Sequence, residues 1–386
     1  MSFVAIDMGA SSTRYASTEK FAYLPNNAVY IEKMDPASGM KVMDPIPVEI
    51  DASGNDFNDK LEVIITKEGE SSYFPVHALL GSLAASKSAN NVTPTMMNFK
   101  SSQRINYISC ITAVAASKLH YNLDDDICIW LALPPNECRV HKETMKENLV
   151  GKYEVNFVKV GTSVRFTITD VKCHEESALA MFSYFFDVNG KPREESKNRM
   201  SDNILSIDIG ASTTDLAVIK KGVYQDKSGQ TYKYGGNTVK ANVSTGIQKK
   251  FGFEIPDEDL NLVMAEGCVH IGKEIHVITE IMDDAKKAVA DSIVSKMVNY
   301  FSSVDISLQS ISTIVVSGGG SMASKYLNEN GEEVQTSAPM SKYITDALME
   351  YCSTIDVVNH PENPRQANIR GLFTRAYAYY LNKSKV

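Results

Sequence analysis

The strongest constraint in this sequence is a repetition. Phe3–Ser17 (FVAIDMGASSTRYAS) and Ile204–Ile219 (ILSIDIGASTTDLAVI) each run an apolar strand into an aspartate, turn through Gly-Ala-Ser, and leave along a second strand. Asp7, Gly9, Ala10, Ser11 and Thr13 recur as Asp208, Gly210, Ala211, Ser212 and Thr214, at an offset of 201 positions. Repetition of one device over half a chain is an architectural signal, and it predicts two related halves.

The turn itself points to an anion. Glycine lets backbone approach a ligand closely, and successive N–H groups in a tight turn, helped by Ser and Thr hydroxyls, form a concavity for anionic oxygens. Phosphate is the expected guest of Gly9–Thr13, with Ser12 included, and of Gly210–Thr214, with Thr213 included. An aspartate beside a polyphosphate repels it unless a hard cation lies between, and Mg²⁺ takes carboxylate, water and phosphate oxygens together. Asp7 and Asp208 are therefore the candidate metal ligands, and the two loops describe a clamp for a Mg-nucleotide. A third loop follows the apolar strand Ile311–Ser317: Gly318, Gly319, Gly320 and Ser321, which without β-carbons can lie flat against the base and α-phosphate side of a nucleotide.

Composition excludes several classes. A chain of 386 residues with 43% hydrophobic and 22% charged residues is a soluble globular type, long enough for two or more domains. A net charge of -8 offers no broad basic field for nucleic acid. The six cysteines have neither CxxC spacing nor a short repeating interval, which reads as buried free thiols rather than zinc ligands or a disulfide framework. No apolar run approaches membrane-spanning length, so a cytoplasmic chain with no membrane partner is expected.

Between the loops, LEVIIT at Leu61–Thr66 and SSYFPV at Ser71–Val76 read as small strands, with Val29–Ile50 as short pieces broken by Pro and Gly. His77–Ser86 reads as one short helix. Apolar spacing of three and four predicts a helix over Asn98–Leu119, Asp124–Pro135 reads as a buried strand with a solvated acidic entrance, and His141–Leu149 as a short helix. A strand hairpin leads to the helix Glu175–Phe186, whose first two acids are either dipole partners of its N–H groups or functional. In the second half, Thr238–Phe251 is helical, Ile255–Gly267 and Lys273–Glu280 form a small insertion including one short strand, and Thr279–Phe301 is a long helix with Ile281, Ala285, Ala288, Val289, Ser292, Ile293 and Met297 inward. Asn368–Leu381 is a terminal helix whose Gly371 signals close packing or a hinge.

Taken together, Asp7–Tyr15, Glu175–Ala178, Asp208–Leu216, Gly318–Ser321 and Ala367–Tyr377 resemble the nucleotide-binding pattern of the actin, Hsp70 and sugar-kinase superfamily, and within it the prokaryotic plasmid-segregation actins of the ParM type. The resemblance implies an α/β actin-like ATPase fold, two related α/β domains enclosing a nucleotide cleft. Domain I would span 1–190 with a peripheral insertion at about 35–100, domain II 203–367 with an insertion at about 252–278, and 368–386 would be a C-terminal helix returning to domain I. It implies ATP with Mg²⁺, GTP not being excluded by any residue, with Asp7 and Asp208 at the cation. Glu176 would position the attacking water, with Glu175 adjacent as its rival. It further implies head-to-tail filaments and a DNA-binding adaptor on a centromere-like plasmid site, without direct nucleic-acid binding. A small-molecule kinase of the same superfamily and a cytoskeletal scaffold outside segregation are the alternatives.

Overall fold

A computed structural model of the chain describes residues 2–9, 12–18, 20–30, 60–81, 83–84, 93–94, 99–327, 331–360 and 363–383. The chain divides into two compact units, Met1–Lys191 with Asn368–Val386, and Pro192–Ala367.

The first unit is built on a ten-stranded mixed sheet. Its strands are β1 (Ser2–Met8), β2 (Ser12–Ala16), β3 (Phe21–Pro25), β4 (Asn27–Tyr30), β5 (Lys60–Lys67), β6 (Val76–Gly81), β7 (Thr93–Pro94), β8 (Asp126–Leu133), β9 (Gly151–Phe157) and β10 (Thr162–Glu175), in spatial order β3-β2-β1-β8-β10-β9-β5-β6-β4-β7. β1, β8 and β10 pair in parallel at the centre. Burial on both faces is why β1 and β8 read as continuous apolar runs rather than alternating ones. Val4, Ile6, Ile127, Ile129 and Leu131 join a core with α1 (Arg104–Tyr121) and α2 (Pro135–Leu149). Ala5, Cys128, Trp130 and Ala132 join the opposite core, with Leu179 of α3 (Glu176–Phe185) and Ile369, Leu372, Phe373 and Ala376 of the C-terminal helix Ala367–Lys383. Gly371 is where that helix meets α3: a β-carbon there would overlap the Leu179 carbonyl oxygen, so close packing is the reason for this glycine.

Several local expectations change. Ser71–Val76 is a turn leading into β6, and the helix expected over His77–Ser86 is instead, through Gly81, a strand paired with β4 and β5. Val76, Ala78 and Leu80 are buried in the core, and an apolar run this short carries no period that separates strand from helix. Residues 31–50, within the expected Val29–Ile50 pieces, lie outside the described residues, as do residues 82, 85 and 86. α2 begins six residues before the expected start because Pro135 occupies its first turn, where a missing N–H is harmless. Asp124 and Asp125 are the solvated entrance, accepting from Ser2 and Lys118.

The second unit carries a six-stranded sheet. β11 (Asn203–Ile209) pairs antiparallel with β12 (Thr214–Lys220) and parallel with β17 (Thr313–Ser317), while β13 (Val223–Tyr224) and β14 (Gln230–Tyr232) extend β12 and β20 (Asp356–Asn359) extends β17. One face of the sheet packs on α4 (Gly236–Phe251), α6 (Thr279–Ser303) and α7 (Met340–Leu348). The insertion holds α5 (Asp257–Glu266) and a two-stranded hairpin, β15 (Cys268–Ile271) with β16 (Glu274–Val277), one strand more than expected. A second hairpin joins β18 (Ser324–Leu327) to β19 (Glu333–Ser337). On α6 the expected Ala285, Val289, Ile293 and Met297 are buried, but Ala288 is exposed, and Met282, Lys286 and Ala290 are buried as well. The Lys286 ammonium donates to Ser337 Oγ and Ala338 O at 2.7 Å and Met322 O at 3.3 Å, which makes burial of a lysine tolerable.

In the first unit His174 stacks on Trp130, ring centroids 4.9 Å apart. Burial, with Arg375 and Lys172 nearby, drives its pKa down to about 3. An unfolded histidine titrates near 6.5, so between pH 6.5 and 3 the unfolded chain holds the extra proton and stability falls as pH falls. We expect His174 to remove about 2 kcal/mol of stability at pH 5 relative to pH 7. Thermal melting of His174→Phe, which keeps a ring against Trp130, should show a flatter pH dependence across that window; an unchanged slope would contradict the assignment.

Candidate functional site

The first loop is organised around a carboxylate that is almost wholly buried. Asp7 lies at the end of β1, opposite Arg14 on β2, and Arg14 Nη1 donates to its Oδ2 at 3.2 Å. Gly9 N–H donates to Asp7 O at 3.2 Å and starts the turn, and Asn26 Nδ2 donates to Gly9 O. The Thr13 hydroxyl donates to Asn26 Oδ1 at 2.7 Å and has no exposed surface. Thr13 thus braces the loop from behind. Ser12 is half-buried, whereas Ala10 and Ser11 lie outside the described residues.

The second loop repeats the strand pairing around it and changes the charges. Asp208 stands opposite Asp215 on β12, the position corresponding to Arg14. Ser317 Oγ donates to Asp208 at 3.4 Å, and Thr213 and Thr231 donate to Asp215 at 3.3 and 2.6 Å. Gly210 N–H donates to Thr213 O at 2.8 Å, closing the turn over Ala211 and Ser212. Thr214 is buried like Thr13, its hydroxyl donating to Tyr234 O at 2.8 Å. The loop's carbonyls engage the start of α4: Gly236 N–H donates to Gly210 O at 2.9 Å and Asn237 N–H to Ala211 O at 2.7 Å.

The triple glycine belongs to this same loop. Gly318 has φ +87°, and a β-carbon on it would overlap Asp208 Oδ1 and the Ile209 carbonyl. One on Gly320 would stand 2.7 Å from Gly210 O, and one on Gly235 equally close to the Gly210 and Ala211 carbonyls. Missing side chains here let two backbone segments, Gly318–Gly320 and Gly235, press onto the Asp208 turn. Gly319 instead lies under the Arg365 side chain, and Ser321 closes the turn by donating to Gly318 O at 2.7 Å.

Glu176 begins α3 and is buried, and Lys100 Nζ donates to its Oε1. Burial opposes the Lys100 charge, but Glu176, Asp7 and Glu137 together outweigh it and hold the ammonium above the usual lysine range. Glu175, its rival, ends β10 as the residue preceding the helix and is absent from that set. Lys100, Glu137, Arg14, Asn26 and Asp215 were not among the expected site residues. Asp215 and Arg14 could have been found by extending the repeat one position; Lys100 had no local signal.

Hard oxygen donors suit Asp208 and Asp215 to Mg²⁺, and the tight Gly-Ala-Ser turn beside them suits phosphate. A separate trio, Glu266, Cys268 and His270, brings donor atoms within 4.8 Å of one another on the α5–β15 segment. It is one donor short of a closed tetrahedral shell and lies apart in sequence from the loops. All six cysteines are free thiols. No described helix is long and apolar enough to cross a membrane.

A parallel-centred α/β unit carrying Asp7 and a second carrying Asp208 on the same strand–loop–strand device define the actin-like fold. Residues 5–178 match the family of actin-like proteins, N-terminal domain, and residues 206–329 match that of archaeal actin homologues, MreB-like, C-terminal. The chain belongs to the actin-like proteins. No curated protein matches it in sequence. Among solved structures it is similar to the actin-like protein Alp7A, at 17% identity and TM-score 0.70 over 99% of this chain and 97% of that one. It is similar to Bacillus thuringiensis ParM with ATP, at 16% identity and TM-score 0.64 over 99% and 100%. A 15-stranded ParM filament from Clostridium botulinum matches at 18% identity and TM-score 0.62 over 97% and 99%.

The bracing role of the buried threonines is testable. Thr214→Val should lower stability by about 1–3 kcal/mol by leaving the Tyr234 carbonyl without its partner. Ser212→Ala, at a half-buried loop position, should stay within about 0.5 kcal/mol in the same melting experiment. Equal effects would contradict the distinction.

Proposed function

We propose that this chain is a Mg-dependent ATPase that assembles into filaments and moves plasmid DNA through an adaptor protein. The observation that carries the reading is the pair of buried aspartate loops, one in each unit, the first sharing Lys100 with Glu176. Membership of the actin-like proteins supports it, as does the fold shared with a ParM solved with ATP and a ParM solved as a filament.

In this reading the backbone N–H groups and hydroxyls of Gly9–Ser12 and Gly210–Thr213 hold phosphate oxygens, and Gly318–Ser321 lies toward the nucleoside. Mg²⁺ supplies neutralisation of the phosphate charge. Asp208, with Asp215 opposite, is the better seat for that cation, because Asp7 already has the Arg14 guanidinium. Glu176 orients a water whose oxygen bonds to the terminal phosphorus as the bond to the bridging oxygen breaks; ADP leaves and the water's proton passes to the released phosphate. The acidic chain leaves DNA contact to the adaptor.

Self-association has its own support. Leu262, Ile271, Ile275 and Val277 are exposed apolar side chains on α5 and the β15–β16 hairpin, a density that suits burial against another molecule. A heterologous contact of this kind repeats without closing and gives a filament.

Light scattering and electron microscopy on one sample should show concentration-dependent polymers with Mg-ATP and none with EDTA. Ile275→Lys with Val277→Lys should abolish polymers while retaining ATP binding, and Glu176→Ala should retain polymers while slowing phosphate release. Persistent monomers at high concentration, despite bound Mg-ATP, would overturn the filament reading. Wild-type hydrolysis in Glu176→Ala but not in Glu175→Ala would reassign the water-positioning residue.

A further inference from the structure

Lys286 and Lys100, both among the described residues, are largely withdrawn from solvent, and their surroundings differ in kind. Lys286 meets two carbonyls and a hydroxyl, and burial, opposed by Asp283, pulls its pKa down to about 8. That is a lysine satisfied as a structural tie. Lys100 meets carboxylates: Nζ donates to Glu176, with Asp7 and Glu137 contributing to its charge environment, and its side chain keeps only 14% of its surface.

The backbone carrying Lys100 is pinned on several sides. It sits in the single 3₁₀ turn Lys100–Ser102 immediately before α1. The buried Glu137 carboxylate of α2 accepts the Ser101 N–H at 2.6 Å. Asn106 Nδ2 donates to the Lys100 carbonyl at 3.0 Å, and the Tyr107 hydroxyl donates to the Ser101 carbonyl at 2.7 Å. Asn148 Nδ2 in turn donates to the Tyr107 hydroxyl at 3.1 Å, and Tyr73 stacks on Tyr107 with ring centroids 4.0 Å apart. Residues from two helices and a turn thus fix where one ammonium group stands. These bonds hold the turn from several directions, so the Lys100–Glu176 contact is pre-organised rather than a chance surface pair.

We propose that Lys100 is the positioning residue for hydrolysis: it anchors the Glu176 carboxylate in the orientation that receives the attacking water and offsets the repulsion between that carboxylate and a terminal phosphate. The inference rests on the ATPase reading above. Its physical basis is that a carboxylate swinging on three torsions holds a water poorly, while one oxygen tied to a fixed cation leaves the group a single orientation. Like charges a few ångströms apart in a water-poor site repel strongly, and an ammonium beside one of them cancels most of that field. Lys100 acts through Glu176, so its effect should vanish when Glu176 is disabled.

The test is a double-mutant cycle on the full chain, with Lys100→Met, Glu176→Gln and the double variant, reading single-turnover phosphate release and Mg-ATP affinity together. Lys100→Met should slow release by about 10- to 100-fold, with the Mg-ATP Kd within about threefold of wild type. The double variant should release phosphate at the rate of Glu176→Gln alone. A wild-type rate in Lys100→Met with Glu176→Gln slow would overturn this inference and leave the ATPase reading standing. So would a double variant slower than Glu176→Gln by the full Lys100→Met factor, or a Kd that weakens in step with the rate, since both mark a structural role. A wild-type rate in Glu176→Gln would overturn the water-positioning reading itself and this inference with it. If Lys100→Met does not fold, Tyr107→Phe loosens the same turn with Lys100 in place; it should slow release about fivefold with unchanged Kd, and an unchanged rate would count against the inference.

Discussion

A carboxylate held at the end of a buried strand must be answered, and much of this chain can be read as two answers. Asp7 and Asp208 occupy the same place in the same device, and both are nearly without solvent. Ionised groups so placed need partners or a cation, because withdrawal from water costs several kcal/mol. The first half supplies Arg14 across the strand pair, with Lys100 nearby. The second supplies hydroxyls from Ser317 on Asp208 and from Thr213 and Thr231 on Asp215, and adds that second acid where the first half has Arg14. The duplication therefore preserves the strand pairing and diverges in charge, and under the proposed function the halves do different work: anion and water handling in the first, cation handling in the second.

The device that makes this possible is close backbone packing. Gly318, Gly320 and Gly235 allow two segments to press on the Asp208 turn, and the Gly210 and Ala211 carbonyls engage the first N–H groups of α4. Thr13 and Thr214 brace the two loops from inside, through Asn26 and the Tyr234 carbonyl. A loop held in this way keeps its N–H groups oriented before a ligand arrives, and such pre-organisation is what electrostatic catalysis draws on. Gly371 plays the corresponding part for the C-terminal helix, whose contact with Leu179 packs it against α3 and so against the element that begins with Glu176.

What the sequence made legible follows from how local each signal is. The aspartate loops, the glycine triplet, the strands beside them and the acid at the start of α3 are patterns within a dozen residues, and each lies where the reading put it. The β6 segment was misread because VHALLG is too short to show a period. Lys286 was not among the residues expected inward on α6, and only the Ser337 and Ala338 acceptors, about fifty positions away, reveal its burial. Lys100 escaped for the same reason on a larger scale: its partner is 76 positions on, and nothing in KSSQR marks it. Charge pairs formed by tertiary proximity leave no periodic trace.

The most direct test of the central proposal, that this chain binds a Mg-nucleotide with Asp208 at the cation, is a calorimetric titration of ATP into the full chain with Mg²⁺ and again with EDTA, repeated on Asp208→Ala. The account predicts one ATP per chain, bound much more tightly with Mg²⁺ than without, and an Asp208→Ala variant that no longer distinguishes the two conditions. Equal affinity with Mg²⁺ and EDTA, or an Asp208→Ala variant that binds Mg-ATP as the wild type does, would contradict it.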